Sequence, residues 1–218
     1  MLLLAVPLAI ICARIYYCIF SWADFKGDPI SCLYIWNGGI AIYGAVIGAV
    51  LGVWIYTRIA KVRFPAMLDI GALGLLIGQS VGRWGNFINR EVYGVETDSF
   101  LKMGLGEGAD AKYYHPLFLY ESLWNALGFV LLHFWSKRRK FDGEVFLLYI
   151  VWYGVGRGFL EGLRVTEFNL MIPGTSVPFS KVLGYLSAVA AAAVWAYLRF
   201  FRKRADAEPR AEREEAQS

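Results

Sequence analysis

Residues 66–84 read AMLDIGALGLLIGQSVGRW, a run that carries only two charged side chains and has glycine at every fourth position toward its end. A helix needs about 20 mostly apolar residues to cross a hydrocarbon core of about 30 Å. Five other stretches of similar length and apolarity lie at 1–22, 38–57, 116–136, 144–163 and 177–201. The sequence therefore predicts an all-α polytopic membrane protein with about six transmembrane helices, forming a single transmembrane domain over 1–201.

The composition of the whole chain favours the same class. Of the 218 residues, 57% are hydrophobic and 18% are charged, whereas soluble domains average roughly 25% charged residues. These values argue against an ordinary soluble enzyme, a disordered chain, a coiled coil and a disulfide scaffold, and we expect no nucleic-acid partner. The two histidines and three cysteines lack the spacing of a metal site, so we expect neither a metal nor a cofactor.

The basic residues predict the orientation in the membrane. Lys and Arg concentrate at 58–63, 137–140 and 199–204, and such residues mark the cytoplasmic side. The loop 85–115 then faces outward, and the charged tail 202–218 is a disordered cytoplasmic end. We predict a multi-pass protein of the cytoplasmic membrane with a cytoplasmic C-terminus. Its N-terminus would then be cytoplasmic without a basic flank, which predicts that a preceding span is absent from this chain.

Ionisable side chains within and beside the spans are the candidates for function, because charges are costly in lipid and usually face a cavity. Arg157, Glu161 and Arg164 follow at i, i+4 and i+7, on one helical face. Further polar residues gather at the same predicted outer end: Arg83, Asn86, Asn89, Glu91, His115 and Glu121. Arginine binds phosphate oxygens in pairs, so the cluster predicts a site for a phospholipid head group. An anion transporter or a phospholipid-binding membrane scaffold is the alternative.

Other features predict structure rather than chemistry. Three spans carry glycine at every fourth residue, which indicates close helix packing. Asp69, near the predicted cytoplasmic end, is expected to interact with a helix N-terminus or to tie its helix to a neighbour. Arg14 could pair with Glu121 or extend to an interface, and the sequence leaves both alternatives open.

The thirteen residues 82–94, GRWGNFINREVYG, closely resemble the signature of the prolipoprotein diacylglyceryl transferases. Three other segments agree with that family in order and spacing: 38–48, 115–121 and 153–164. The resemblance extends from about residue 13 to residue 201 and so covers nearly all of the predicted membrane part. The family has seven spans and an outward N-terminus, so the chain resembles a family member that lacks its first helix.

The resemblance implies a transferase of the bacterial inner membrane. Such enzymes move the diacylglyceryl group of phosphatidylglycerol onto the thiol of the lipobox cysteine in a prolipoprotein signal peptide. The products are a thioether and glycerol 1-phosphate, and the partners are these two substrates and the surrounding membrane lipids. By position, the residues that would bind phosphatidylglycerol are Arg83, Asn86, Glu91, Gly94 and Arg164. Arg157 and Glu161 would act at the leaving phosphate.

Tyr43 is a departure from the family pattern, because many members have histidine at this position, where it is proposed to be the base. A tyrosine with an ordinary pKa of about 10 is a poor base at neutral pH. We therefore expect Tyr43 to take part in catalysis by hydrogen-bonding substrate. The alternatives are a Tyr43 pKa lowered by a nearby arginine, or a base elsewhere, at Glu91 or His115.

Overall fold

The computed structural model describes residues 1–106, 112–165, 172, 175 and 177–201. Within them the α-helices are α1 (Leu2–Phe20), α2 (Trp22–Phe25), α3 (Ile42–Ala60), α4 (Phe64–Ile88), α5 (Leu117–Ser136), α6 (Glu144–Leu160) and α7 (Phe179–Ala196). Helix α7 continues as a π-helical turn, Tyr197–Phe201. Short 3₁₀ turns cover Pro29–Leu33, Ile35–Asn37 and Glu161–Leu163. Every predicted span therefore contains a helix.

The prediction of an all-α polytopic membrane protein is confirmed. Helices α1, α3, α4, α5 and α7 are each long and apolar enough to cross a membrane. Helix α6 has 17 residues, at the lower end of the range of about 17–25 for a spanning helix. The single domain over 1–201 stays a prediction, and the tail 202–218 lies outside the described residues.

The loop 85–115 contains a short hairpin that the sequence pattern does not predict. Strands β1 (Met103–Leu105) and β2 (Lys112–Tyr114) form an antiparallel hairpin in which Gly104 pairs with Tyr113. Each strand is only three residues long, too short for the periodicity of alternating side chains to be read from the sequence. A short hairpin in an otherwise helical protein is consistent with the predicted class.

The chain divides into two compact units, Met1–Leu68 (unit 1) and Asp69 onward (unit 2), which we describe separately. In unit 1, α1 and α3 pack along the glycine stripe of α3. A Cβ on Gly44 would lie 2.7 Å from Ala13 Cα, and a Cβ on Gly52 would lie 2.6 Å from Ala5 Cα. Later residues of α3 thus meet earlier residues of α1, so the two helices run antiparallel. The packing prediction is confirmed for this stripe.

Arg14 is buried in unit 1, and all three of its guanidinium nitrogens donate hydrogen bonds to backbone carbonyls. Its Nη1 donates to Gly38 O at 2.6 Å and Gly39 O at 2.8 Å, and its remaining donors reach three carbonyls between residues 31 and 34. Gly38 and Gly39 have φ of +84° and +77°, a backbone region that favours glycine. The glycine pair thus lets the chain turn its carbonyls onto Arg14, an arrangement that neither sequence alternative described.

In unit 2, a buried apolar cluster joins α4, α5 and α6. Its members are Ala72, Leu76, Leu132, Val145 and Tyr149. On α6, Gly154 faces the backbone of Gly184 in α7, and Gly158 faces the ring of Tyr185. The packing prediction is confirmed for these two glycines. It is not supported for Gly162, the third glycine of that stripe, or for Gly74, Gly78 and Gly82 of α4, where an added Cβ would meet no described atom within 4 Å.

Two tryptophans connect α5 and α6 through ring stacking and hydrogen bonds. Trp124 and Trp152 stack with their ring centroids 4.3 Å apart. Trp124 Nε1 donates to Trp152 O at 3.2 Å, and Trp152 Nε1 donates to Trp124 O at 3.0 Å. Gly156 and Gly128 provide the space, since a Cβ on either would collide with an indole ring. This reciprocal arrangement sets the spacing of the two helices that carry Glu121 and Arg157.

Two buried carboxylates connect neighbouring segments at the predicted cytoplasmic end of unit 2. Asp69 accepts hydrogen bonds from the backbone N–H groups of Gly143 and Phe146, both at 3.0 Å, and pairs with Arg139 at 3.3 Å. The predicted tie between Asp69 and a neighbouring helix is therefore confirmed. Glu144, fully buried, pairs with Arg199 and also accepts hydrogen bonds from two indole N–H groups and one backbone N–H.

Candidate functional site

Backbone hydrogen bonds bring three separate segments together beyond the ends of α4, α5 and α6. Gly94 forms an isolated antiparallel bridge with Arg164. Gly94 N donates to His115 O at 2.9 Å, and His115 N donates to Val95 O at 3.1 Å. Val95 N in turn donates to Leu163 O at 2.8 Å. Segments that are far apart in sequence thus form one frame, on which the polar side chains converge.

Glu121 lies between two arginines at the centre of this region. Arg83 Nε forms an ion pair with Glu121 Oε2, and Arg157 Nη1 lies 3.8 Å from Glu121 Oε1. The three side chains come from the last turns of α4, the start of α5 and the last turn of α6. Glu121 is only 8% exposed, and a buried carboxylate of this kind requires a cationic partner. It therefore holds both guanidiniums in place.

Glu161, one helical turn after Arg157, also lies between two arginines. Arg157 Nη2 lies 3.0 Å from Glu161 Oε2, and Arg164 Nη1 lies 3.7 Å from the same oxygen. The hydroxyl of Ser180, at the start of α7, donates to Glu161 Oε1 at 2.5 Å. Arg157 is thus shared by two buried carboxylates, so its position is defined from both sides.

Side-chain amides connect Arg83 to the loop after α4. Arg83 Nη1 donates to Asn86 Oδ1 at 3.2 Å, and Asn86 Nδ2 donates to Glu91 Oε1 at 3.1 Å. Asn89 Nδ2 donates to the same Glu91 oxygen at 3.2 Å. Asn86 both accepts from Arg83 and donates to Glu91, which fixes the orientation of its carboxamide. Asn86 therefore orients Arg83 relative to the exposed Glu91.

A small pocket opens between α4, α5 and α6 in unit 2. Its lining residues are Arg83, Glu121, Trp124, Asn125, Tyr153, Gly156, Arg157 and Leu160. The lining combines two arginines and a glutamate with aromatic and aliphatic side chains. Two arginines and one glutamate line the pocket, so its lining carries one net positive charge that can attract an anion. The arrangement suits an amphiphile with an anionic head group.

Arg164 is a largely buried cation with one donor that has no partner among the described residues. Its Nε is shielded from solvent and has no hydrogen-bond partner among the described residues. Burial lowers the pKa of Arg164 from its ordinary value, and the neighbouring Arg157 lowers it further. An arginine remains protonated at neutral pH despite such effects. Arg164 can therefore donate to a bound anion.

Comparison with known proteins agrees with this geometry. The sequence profile of the family described as prolipoprotein diacylglyceryl transferase matches residues 1–197. The chain belongs to the prolipoprotein diacylglyceryl transferase family. The prediction made from residues 82–94 is confirmed, and with it the class of enzyme.

Relatives from several bacteria are named phosphatidylglycerol–prolipoprotein diacylglyceryl transferase. The relative from Halalkalibacterium halodurans is 45% identical over 202 residues, which is 89% of this chain and 69% of that protein. The relative from Shouchella clausii is 43% identical over 211 residues, which is 93% of this chain and 75% of that protein. The relative from Listeria monocytogenes serovar 1/2a is 49% identical over 172 residues, which is 75% of this chain and 62% of that protein.

The structure brings together most of the site residues that the family resemblance implied. Ion pairs and side-chain hydrogen bonds connect six of them: Arg83, Asn86, Glu91, Arg157, Glu161 and Arg164. Gly94 joins them through its backbone bridge to Arg164. Tyr43 belongs to unit 1, where it is exposed near the start of α3 and its ring lies 6.2 Å from that of Tyr16. The catalytic and binding roles of these eight residues stay predictions.

Two residues that contact the charged side chains of the site, Glu121 and Ser180, had no role predicted from the sequence. Glu121 was grouped with the polar cluster but not with the site, although an acidic residue within a span was a usable signal. Ser180 had no signal, since a serine at the start of a helix has many ordinary roles. His115, one of the alternative bases, places its Nδ1 3.1 Å from the hydroxyl of Tyr120.

Gly94 provides a test of the backbone frame. A Cβ at this position would lie 2.6 Å from His115 Cβ and 2.9 Å from Leu163 O, neither of which is the flexible end of a side chain. We expect Gly94→Ala to open the bridge to Arg164 and to lower transferase activity by about 10²-fold, the effect of a displacement of roughly 1 Å. The measurement is the initial rate of peptide lipidation.

Gly104→Ala is the matched control for Gly94→Ala. A Cβ on Gly104 would lie 3.5 Å from the ring of Tyr113, an ordinary contact. We expect this variant to keep its activity. Equal rates for the two variants would show that the close approach at Gly94 has no part in the site.

Proposed function

We propose that this chain transfers the diacylglyceryl group from phosphatidylglycerol to the thiol of a lipobox cysteine in prolipoprotein signal peptides. The reaction takes place in the bacterial cytoplasmic membrane, at the outward ends of α4, α5 and α6, with the C-terminus of the chain in the cytoplasm. Family membership and the names of the relatives support the two substrates. The observation that carries the proposal is Arg157, held between Glu121 and Glu161 in the wall of a pocket.

The geometry supports a phosphate-binding role for the two arginines that line the pocket. Arg83 and Arg157 approach Glu121 from different helices, so their remaining N–H donors can converge on one anion. Guanidinium groups bind phosphate oxygens in pairs. Trp124, Tyr153 and Leu160 supply the apolar side of the same pocket, which suits the glycerol and acyl part of a lipid.

The family's reaction, placed at this site, makes the following use of these residues. The thiolate sulfur forms a bond to the terminal glycerol carbon of the diacylglyceryl group, and the bond from that carbon to the phosphate oxygen breaks. The electron pair leaves with glycerol 1-phosphate, on which negative charge develops. Prepositioned arginines stabilise such charge, and a positive site also lowers the pKa of an incoming thiol. The thiol proton passes to a base, for which Glu91 and His115 are the candidates, while Tyr43 hydrogen-bonds substrate.

The test combines the purified chain in detergent with phosphatidylglycerol and a peptide that contains a lipobox cysteine. We expect mass spectrometry to detect the diacylglyceryl group on the peptide, together with release of glycerol 1-phosphate. A peptide with serine in place of the cysteine is the control and should stay unmodified. Phosphate flux or lipid binding without any thioether product would instead support the transporter or scaffold alternative.

Tyr43→Phe tests the role proposed for the tyrosine hydroxyl. Loss of one hydrogen bond to substrate is worth about 1 kcal/mol, so we expect a loss of roughly fivefold in rate with an unchanged pH profile. Tyr56→Phe, on the same helix, should have no effect. A loss beyond about 10²-fold, together with a shift of the pH profile, would identify Tyr43 as the base instead.

A further inference from the structure

Two cysteine side chains of unit 1 lie next to each other at the end of α1. Cys18 is 8% exposed and lies in the last turn of that helix, and Cys32 lies in the 3₁₀ turn Pro29–Leu33. Cys18 Sγ contacts the carbonyl oxygen of Cys32 at 3.9 Å. Partial burial raises the pKa of the Cys32 thiol, and a hydrogen bond with the Cys18 thiol raises it further. Cys18 Sγ therefore lies against the residue that carries the second thiol.

The loop that carries Cys32 is already fixed on the face of α1 that carries Cys18. Arg14 lies one helical turn before Cys18, on the same face. Its Nε donates to Cys32 O and its Nη2 donates to Ser31 O, both at 2.8 Å. A bond between the two sulfurs would thus join parts of the chain that are held together without it, so little ordering is needed.

We propose that Cys18 and Cys32 form a disulfide bond that fastens the loop over residues 28–39 to α1. The two thiols exchange with a disulfide-bearing oxidant: the oxidant's sulfur–sulfur bond breaks, a new one forms between Cys18 and Cys32, and the oxidant leaves as two thiols. The two protons and two electrons lost by the cysteines are gained by the oxidant, so the exchange balances. The loop is on the outward side in the predicted orientation, where disulfides persist.

The bond would act on a segment that the family shares. The fastened loop runs directly into Gly38 and Gly39, whose carbonyls also bind Arg14, and these glycines begin the family segment that leads to Tyr43. A cross-link restricts the unfolded and partly opened chain more than the folded one. Oxidation should therefore add a covalent restraint to the hydrogen bonds by which Arg14 already holds the backbone before α3.

The experiment counts free thiols in the whole purified chain. The chain is incubated with oxidised glutathione, denatured, labelled with N-ethylmaleimide and weighed intact. The reduced chain has three cysteines and should take three labels. After oxidation we expect a single label, on Cys12, and a mass lower by about 2 Da before labelling because two hydrogen atoms have left. Dithiothreitol should restore all three labels.

Three single variants locate the bond. Oxidised Cys12→Ser should take no label, whereas Cys18→Ser and Cys32→Ser should each lose the intramolecular bond. Proteolytic mapping of the oxidised wild-type chain should also yield a linked pair of peptides containing Cys18 and Cys32, which keeps the test decisive if a variant does not fold. Three labels after oxidation, a linked pair that includes Cys12, separate glutathione adducts on Cys18 and Cys32, or a disulfide between two chains would each overturn the proposal.

Discussion

We expect Arg157→Ala to lower the rate of peptide lipidation by about 10²–10³-fold, the usual effect of removing one group that stabilises developing negative charge. Arg157 bridges Glu121 and Glu161, at 3.8 and 3.0 Å, and lines the pocket. The alanine variant loses both the charge offered to the leaving phosphate and the link between the two carboxylates. The measurement is the initial rate with saturating phosphatidylglycerol and lipobox peptide.

Arg157→Lys separates charge from geometry. Lysine keeps one positive charge but lacks the planar fork that contacts two carboxylates at once. We expect it to recover only a minor part of the lost rate. Arg58→Ala is the matched control, because Arg58 is an exposed arginine of α3 that lies over the ring of Trp54. A rate for Arg157→Ala within threefold of the Arg58→Ala rate would contradict the assigned role.

Glu121→Ala should lower both stability and activity. Glu121 is buried, and its removal leaves Arg83 and Arg157 without their shared counter-ion. Removing one partner of a buried ion pair typically costs about 3–5 kcal/mol, because the remaining charge is uncompensated. We expect a clearly lower midpoint of thermal unfolding, followed through tryptophan fluorescence in detergent, and a loss of transferase activity.

The control for Glu121→Ala is Glu96→Ala. Glu96 pairs with Lys112 at 3.8 Å, and both side chains are more than 60% exposed. An exposed pair of this kind is worth about 0–1 kcal/mol, so the midpoint should barely change. Glu121→Gln keeps the shape of the side chain and removes its charge, and we expect it to be inactive as well. An active, fully stable Glu121→Gln variant would show that the carboxylate does not hold the arginines.

The sequence by itself determined the membrane class, the places of the spans and the family. Apolar length alone located α3 and α4 within a few residues, because the thickness of the bilayer sets a minimum length that is visible in composition. The i, i+4 spacing correctly predicted the contact between Arg157 and Glu161, since helical periodicity is a local property. The shared helical face did not extend to Arg164, because α6 ends at Leu160 and Arg164 reaches Glu161 from extended backbone after a 3₁₀ turn.

Only the tertiary structure decided which side chains meet. Arg83 and Glu121 are 38 positions apart, and Gly94 and Arg164 are 70 positions apart, so their contacts depend on how each helix is rotated about its axis and on where each loop returns. Periodicity defines a face of one helix but not the element that the face meets. For the same reason Arg14 had two open alternatives in the sequence, and the carbonyls that bind it became evident only once the glycine turn had been placed against α1.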